Sequence, residues 1–240
     1  MLGRFHELSV STPDIGASVE FYERLGFTHA QTGDTWSHPY GVLTDGRVFI
    51  GLHQYRFESP AVTFVRAGIA QHVPDFKALG IELAFAKTGD DTFNEIGFRD
   101  PAGQMITILE ARTYSPPPRR RADTSLCGYF AEFSIPASDF EAARRFWEAL
   151  GFVATEETAA PYVHLPLTSD HLDLAFHRAG TLERPMLVFA DDDMPTRIAA
   201  LRERGIAASR ELPRGLDPGA NALLEAPEGT PLLLVTPPAD

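Results

Sequence analysis

The segment VEFYERLGF, residues 19–27, reads as the last turns of a helix stopped by Gly26, and ARRFWEALGF at residues 143–152 repeats it. Two weaker copies, FKALGI (76–81) and LRERGI (201–206), complete a set of four whose glycines are Gly26, Gly80, Gly151 and Gly205. Gly26 and Gly80 are 54 positions apart, as are Gly151 and Gly205, and each member of the first pair lies 125 positions before its counterpart in the second. Equal spacing at two levels implies four copies of one unit arranged as two pairs. A glycine at each helix end fits a closing residue in the left-handed conformation, which glycine adopts at little cost.

Each unit opens with a short alternating strand, such as FHELSV (5–10) or YFAEFSI (129–135), and continues as a helix. In the first unit Thr12 is the expected N-cap, with Pro13 at the first helical position and Asp14 in the first turn. Ile15, Ser18, Phe21, Tyr22 and Leu25 fall on one helical face, and Phe140, Ala143, Trp147 and Leu150 do the same in the third unit. Three strand-like stretches follow. Asp45-Gly46 predicts a two-residue hairpin between YGVLT and RVFIGLH. Asp100-Pro101-Ala102-Gly103 precedes QMITILEA in the second unit, and Ala226-Pro227-Glu228-Gly229 precedes TPLLLVT in the fourth. The unit is therefore strand, helix, three strands.

One such unit cannot bury both faces of its sheet. Two together make a curved sheet with helices outside and a cleft inside. The expected fold is α+β, with four βαβββ modules paired into two domains with cupped mixed sheets. Domain 1 spans 1–114 (modules 1–57 and 58–114), and domain 2 spans 126–240 (modules 126–181 and 182–240). The segment 115–125, containing SPPPRRRADT, is rich in proline and charge and reads as the spacer between them. The four glycines, Tyr22 and Trp147 account for architecture rather than activity.

Composition narrows the function. With 33 acidic and 21 basic residues the formal charge is −12, which disfavours nucleic acid and anionic membrane surfaces as partners. Arg119-Arg120-Arg121 sits beside three prolines and reads as solvated linker. Cys127 is the single cysteine, so no disulfide framework or thiolate metal site exists, which fits a reducing cytoplasm. It has no evident base partner and reads as a plain small side chain. MLGRFHELSV has no signal-peptide pattern, and no apolar run approaches the roughly 20 residues that span a bilayer. The chain carries neither a Gly-rich phosphate loop before a helix nor a G-x-S-x-G elbow.

FHELSVSTPDIGASVEFYERLGF, with the later DGRVFIGLH and FRDPAGQMITILEA, resembles the vicinal oxygen chelate superfamily, which includes glyoxalase I, extradiol dioxygenases, fosfomycin-resistance enzymes and bleomycin-binding proteins. FYERLGF and DPAG are the strongest matches. The resemblance covers residues 4–112 well and 128–236 more weakly. It implies two glyoxalase/bleomycin-resistance-like domains, each with a cupped site, and it leaves the reaction open because many chemistries share the scaffold. In metal-dependent members, His and Glu on the first and last strands of paired modules hold a divalent ion. Here those positions fall on His6, Gly51, Pro60 and Thr107, and only the first fits. Their counterparts in the second half are Ala131, Ala175, Pro185 and Leu233, so domain 2 is a degenerate copy without ligands.

A catalytic divalent site needs about three protein ligands and an open position. His53, two places after Gly51, shares its strand face and could approach His6; Glu110, three places after Thr107, should point the other way. His6 and His53 are thus metal candidates, with pocket-lining or hydrogen-bonded histidines as the alternative. His177 echoes His53, since LAFH repeats IGLH, which points to a shared structural role as much as a chemical one, and His164 and His171 read as surface residues first, with a pocket position as the alternative. TWSHPYG (35–41) places Trp36, His38 and Tyr40 at the entry to a strand, where they would form an aromatic rim suited to a flat or hydrophobic ligand, or simply pack a loop. Asn94 and Glu95 read as part of a solvated loop. The expectation is a protein that binds a small hydrophobic or aromatic molecule in a cleft lined by His6, Trp36, His38, Tyr40, His53 and Thr107. No cofactor is expected. The alternative is a metal-dependent lyase or dioxygenase acting through domain 1 with His6 as a ligand. The only expected partner is the small molecule, with the chain a monomer or homodimer.

Overall fold

The computed structural model describes residues 1–31, 36–111, 125–209 and 212–237. The segment SPPPRRRADT lies outside the described residues. The first module comprises β1 (Arg4–Ser11), α1 (Ile15–Arg24), β2 (Thr28–His29), β3 (Tyr40–Thr44) and β4 (Phe49–His53). The second comprises β5 (Ala61–Arg66), α2 (Ile69–Ala78), β6 (Leu83–Lys87), β7 (Glu95–Arg99) and β8 (Met105–Glu110). The third repeats the first as β9 (Tyr129–Pro136), α3 (Phe140–Ala149), β10 (Val153–Ala154), β11 (His164–Thr168) and β12 (Leu174–His177). The fourth is shorter among the described residues, with β13 (Met186–Ala190), α4 (Met194–Glu203), β14 (Ala222–Glu225) and β15 (Pro231–Val235). It therefore departs from the expected unit by one strand.

Strands β1 to β8 form one sheet in the order β2-β3-β4-β1-β5-β8-β7-β6, and β9 to β15 form a second in the order β10-β11-β12-β9-β13-β15-β14. Modules join at their first strands: β1 lies antiparallel to β5, and β9 antiparallel to β13. Each first strand also runs parallel to its module's last, as β1 does to β4 and β5 to β8. These four strands form the middle of each sheet, so side chains on their cleft face converge.

The helix ends follow the sequence. Gly26, Gly80, Gly151 and Gly205 have φ of 91°, 74°, 104° and 72°, the left-handed region a Cβ disfavours. The N-cap of α1 is a correction. Asp14, not Thr12, caps it, its Oδ1 accepting from the Ala17 amide at 3.1 Å. Thr12 instead accepts from the Asp14 amide and pairs with the Ser18 hydroxyl at 2.8 Å, which fixes the strand-to-helix turn. The β3–β4 hairpin is also longer than predicted. Thr44 pairs with Phe49, leaving four residues in the loop, because Asp45 Oδ1 accepts from the amides of both Arg47 and Val48.

One face of each sheet is covered by helices, and the two helix-bearing faces share one core. Tyr22, Phe76, Trp147 and Leu201, one from each helix, belong to a single apolar cluster with Leu8, Ile50, Phe133 and Phe176 from the sheets. The join is two-fold in character. Trp147 Nε1 donates to Asp100 Oδ2 at 3.0 Å, tying α3 to the turn before β8. At the equivalent place Tyr22 donates to Glu228 Oε1 at 2.8 Å and Ser18 donates to Oε2 at 2.7 Å, tying α1 to the turn before β15. The ends of α1 and α4 exchange contacts too, Arg24 donating to the Arg204 carbonyl at 2.6 Å and Arg204 to the Arg24 carbonyl at 3.4 Å. Asp100 is buried, and this raises its carboxyl to about 6 even though Trp147 and three backbone amides donate to it.

Tyr22 is fully buried, so its hydroxyl depends on Glu228. Glu228→Ala should lower the unfolding free energy by about 1–3 kcal/mol, the cost of stranding a buried hydroxyl. In a Tyr22→Phe background the same change should cost less, and chemical denaturation of the four variants of this cycle measures the difference.

Candidate functional site

The site is built on a break in strand alternation. In the β1–β5 ladder Phe5 pairs with Phe64 and Glu7 with Thr63, so His6 is the extra residue of a bulge. Phe5 and Leu8, three apart, therefore both enter the core, while Glu7 and Ser9 turn to the opposite, cleft face. The bulge brings His6 Nε2 to 3.9 Å from Glu7 Oε2.

Glu7 is the centre of the cleft floor and is 1% exposed. Its Oε1 accepts from Ser9 at 2.7 Å and from His53 Nε2 at 2.9 Å, and its Oε2 accepts from Tyr40 at 2.6 Å. Ser9 in turn lies 2.7 Å from the Thr63 hydroxyl. Burial alone would raise the Glu7 carboxyl, but the hydrogen bond from His53, the nearby His6 and His53 rings and the Tyr40 hydroxyl outweigh it and hold the group below the usual carboxylate range. Room for the carboxyl comes from Gly51 on the neighbouring strand. A Cβ at position 51 would stand 2.1 Å from the Glu7 carboxyl atoms, so the side chain absent from Gly51 is the seat of Glu7.

A line of rings leaves this floor. His38 Nε2 lies 3.0 Å from His53 Nδ1, and the His38 ring stacks on Tyr55 at 5.1 Å and 20°. Trp36 meets His53 edge-on at 5.1 Å, and lies 5.5 Å from His38, 5.9 Å from Tyr40 and 6.3 Å from Phe93. Tyr55 and Phe93 are 60% and 59% exposed, large rings left open to solvent at the margin of the cluster. The Trp36 Nε1 atom is buried and makes no hydrogen bond among the described residues. Burial and the His53 ring both lower the basicity of His38.

The structure thus brings Trp36, His38, Tyr40 and His53 into one cluster, with His6 reaching its floor through Glu7. Thr107, on β8, pairs in register with Thr63 on β5. Glu110 stays out of the cluster, accepting from the Gly68 amide at 3.0 Å and from Asn94 at 2.7 Å. Glu7 was missed by sequence reasoning, as were Tyr55 and Phe93. The signal for Glu7 was present: FHELS and YFAEFS both place a glutamate two residues before a serine on the first strand.

The positions at which the resembled superfamily carries its metal ligands lack free donors here. Gly51 offers no side chain and its place is taken by Glu7, Pro60 cannot ligate, and both ring nitrogens of His53 already have partners. No group of three His, Cys, Asp or Glu side chains among the described residues is arranged to hold a metal ion. The residues present do not fit the three-ligand site of the metal-dependent members.

Domain 2 repeats the scaffold and fills it. β9 has the same bulge, with Phe130 opposite Phe189 and Glu132 opposite Val188, so Glu132 stands where Glu7 does. The cleft-face positions Ala61, Thr63, Gly97 and Thr107 correspond to Met186, Val188, Leu223 and Leu233, which pack with Tyr162, Val235, Leu212 and Leu216. Glu132 accepts from Tyr162 at 3.3 Å and has His164 at 4.0 Å, and burial pushes its carboxyl up to about 7. His177 turns away from it. Its Nε2 donates to the Leu182 carbonyl and its Nδ1 lies 2.9 Å from the Ser134 hydroxyl, with burial lowering the ring to about 4. His164, expected at the surface, is buried with its Nδ1 donating to the Tyr162 carbonyl, because β11 lies inside the sheet rather than at its edge. Cys127 is fully buried, which raises its thiol far above the usual range.

The two glutamates should answer the same substitution with opposite signs. For Glu132, folded and unfolded carboxyls titrate near 7 and 4.5. Between those values only the folded state holds the proton, so stability falls as pH rises and the penalty is complete above 7. Glu132→Gln should therefore stabilise the protein by about 2–3 kcal/mol at pH 8 and scarcely at pH 4.5. Glu7 is held low, so its contribution is present at neutral pH and lost as pH falls below its unfolded value of 4.5. Glu7→Gln should destabilise by about 2–4 kcal/mol at pH 8, since it breaks a charged network. Thermal unfolding of both variants at the two pH values reads the contrast.

The family model described as Glyoxalase/Bleomycin resistance protein/Dioxygenase superfamily matches residues 4–118. Among curated proteins nothing matches. Solved structures resemble the whole chain. One is a catechol 2,3-dioxygenase at 18% identity, with a TM-score of 0.61 over 100% of this chain and 95% of that one. An extradiol ring-cleaving dioxygenase from B. fuscum is 17% identical, with a TM-score of 0.62 over 100% of this chain and 72% of that one. Homoprotocatechuate 2,3-dioxygenase from Arthrobacter globiformis is also 17% identical, with a TM-score of 0.59 over 98% and 80%. At such identities the likeness establishes the fold alone.

Proposed function

Since the chain belongs to the glyoxalase/bleomycin resistance/dioxygenase superfamily through its first half, we propose that it binds a small, planar, aromatic or hydrophobic molecule in the cleft of domain 1. The observation that carries this reading is the difference between the two clefts. Domain 2 fills its cleft face with Met186, Val188, Leu223 and Leu233, whereas domain 1 has the smaller Ala61, Thr63 and Thr107 at the matching places, the Phe85 ring over Gly97, and a rim of Trp36, His38, Tyr55 and Phe93. Small floor residues beneath partly exposed rings suit a flat ligand that stacks on one face and bonds at an edge. The Trp36 N–H is buried without a hydrogen-bond partner among the described residues. Domain 2 then serves as a packing partner that supplies the far side of the shared core. No described helix is long and apolar enough to cross a membrane.

Trp36 and Trp147 are the two tryptophans, and Trp147 is fully buried on the helical face, so ligand-dependent changes in fluorescence should arise from Trp36. Titration with small aromatic compounds should quench emission saturably, and Trp36→Leu should weaken binding about tenfold as measured by calorimetry, the loss of one stacked ring and its N–H. Absence of saturable quenching across a panel of such compounds would overturn the reading.

The alternative, a metal-dependent lyase or dioxygenase acting through His6, makes a different forecast. It requires a stoichiometric divalent ion in the purified protein that disappears in His6→Ala. On the binding reading, elemental analysis of wild type and variant gives the same substoichiometric result.

A further inference from the structure

With His53 neutral, the hydrogen-bond chain from Glu7 to His38 has one consistent arrangement of protons. A carboxylate accepts only, so His53 Nε2 must carry the hydrogen that it gives to Glu7 Oε1 at 2.9 Å. A neutral His53 then has a lone pair on Nδ1, so His38 Nε2 must donate across the 3.0 Å contact. The lone pair of His38 is thereby placed on its Nδ1. That atom makes no hydrogen bond among the described residues, and the ring is held flat against Tyr55. The result is a carboxylate, an imidazole and a second imidazole in series, ending on a basic nitrogen within the ring cluster formed by Trp36, Tyr55 and Phe93.

We propose that Glu7, His53 and His38 form a proton relay that takes a proton from a planar ligand bearing an acidic hydroxyl or imide N–H, with His38 Nδ1 as the accepting atom. The proposal rests on the reading of the domain 1 cleft as a binding site for a flat molecule. In the step, the ligand O–H or N–H bond breaks, an N–H bond forms at His38 Nδ1, and the bonding pair stays on the ligand. No electron is transferred. The ligand gains one negative charge. The relay gains the positive charge, spread over His38 and His53 and balanced by the Glu7 carboxylate. His6 and Glu7 on β1, Tyr40 on β3 and His53 and Tyr55 on or just beyond β4 are the titratable groups facing the relay.

Domain 2 provides an internal contrast. By register, Tyr40 pairs with His53 and His164 with His177, which places Tyr162 where His38 stands. His177 is bonded to Ser134 and the Leu182 carbonyl instead of to its glutamate, so no relay is formed there.

The test uses 4-nitrophenol, whose phenolate absorbs in the visible range, with the full-length protein at pH 6. Binding is followed by Trp36 fluorescence and ionisation by absorbance. Bound to wild type, the phenolate-to-phenol ratio should rise roughly tenfold above that of the free compound in the same buffer, equivalent to about one pKa unit. His38→Gln should still bind the probe but hold it as the neutral phenol. Long-range nitrogen–proton correlation spectra of the unliganded protein should show both His53 and His38 as Nε2–H tautomers. A His38 ring protonated at Nδ1 would overturn the proposal without reference to any ligand. Saturable binding of the neutral phenol to wild type would overturn the relay and leave the cleft reading standing. Absence of saturable binding would remove the cleft reading and the relay with it.

Discussion

Glu7 lies at the bottom of a sheet with almost no water contact, and its carboxylate is kept charged by Ser9, His53 and Tyr40. A buried carboxylate must find donors or give up its charge. The strands around Glu7 are arranged to meet that demand. A bulge at His6 turns Glu7 into the cleft, Gly51 vacates the space it occupies, and the β3–β4 hairpin brings Tyr40 and His53 together as a register pair. The rim follows from the same contact, because His53 is the residue on which His38 and Trp36 rest. Domain 2 shows what happens when the donors are lost. Glu132 retains the bulge and the strand position but has a distant Tyr162 and a still more distant His164, and it shifts toward the neutral form among leucines.

The architecture was legible because it is written in local chemistry. Helix-ending glycines, amphipathic stripes and turn residues act within a few positions, and each has a physical signature that survives without any knowledge of neighbours. Spacing among Gly26, Gly80, Gly151 and Gly205 then converted local signals into a two-by-two arrangement. Where local reading failed, competing short-range donors were responsible. Asp14 outcompeted Thr12 for the helix cap, and the Asp45 side chain organised a four-residue loop in place of a tight hairpin.

The candidate site was only half legible. Trp36, His38, Tyr40 and His53 were visible as an aromatic and histidine pattern, but their convergence depends on strand order, which a single sequence does not state. Glu7 was hidden by a one-residue parity error. Strict alternation from a cleft-facing His6 turns Glu7 into the core, and only the bulge places both near the floor. Tyr55 and Phe93 lie in irregular segments, where side-chain direction cannot be inferred from periodicity.

The two faces of each sheet are under different constraints, and this explains how the repeats have diverged. The helix-bearing face of one domain packs against that of the other, so Tyr22 and Trp147 each complete a contact on the opposite half, with Glu228 and Asp100. A change on that face disturbs both domains, and the helix endings have stayed recognisable. Among the described residues, the apolar cluster on the domain 2 cleft face is built from that domain alone. A cleft face can be plugged with apolar side chains, as Met186, Val188, Leu223 and Leu233 plug domain 2, at no cost to the shared core and with a gain in buried apolar surface. By the same logic a cleft left with Ala61, Thr63 and Thr107 forgoes that gain. A buried charge network beneath smaller side chains is an expense in stability that folding alone does not require, which places the functional demand on domain 1.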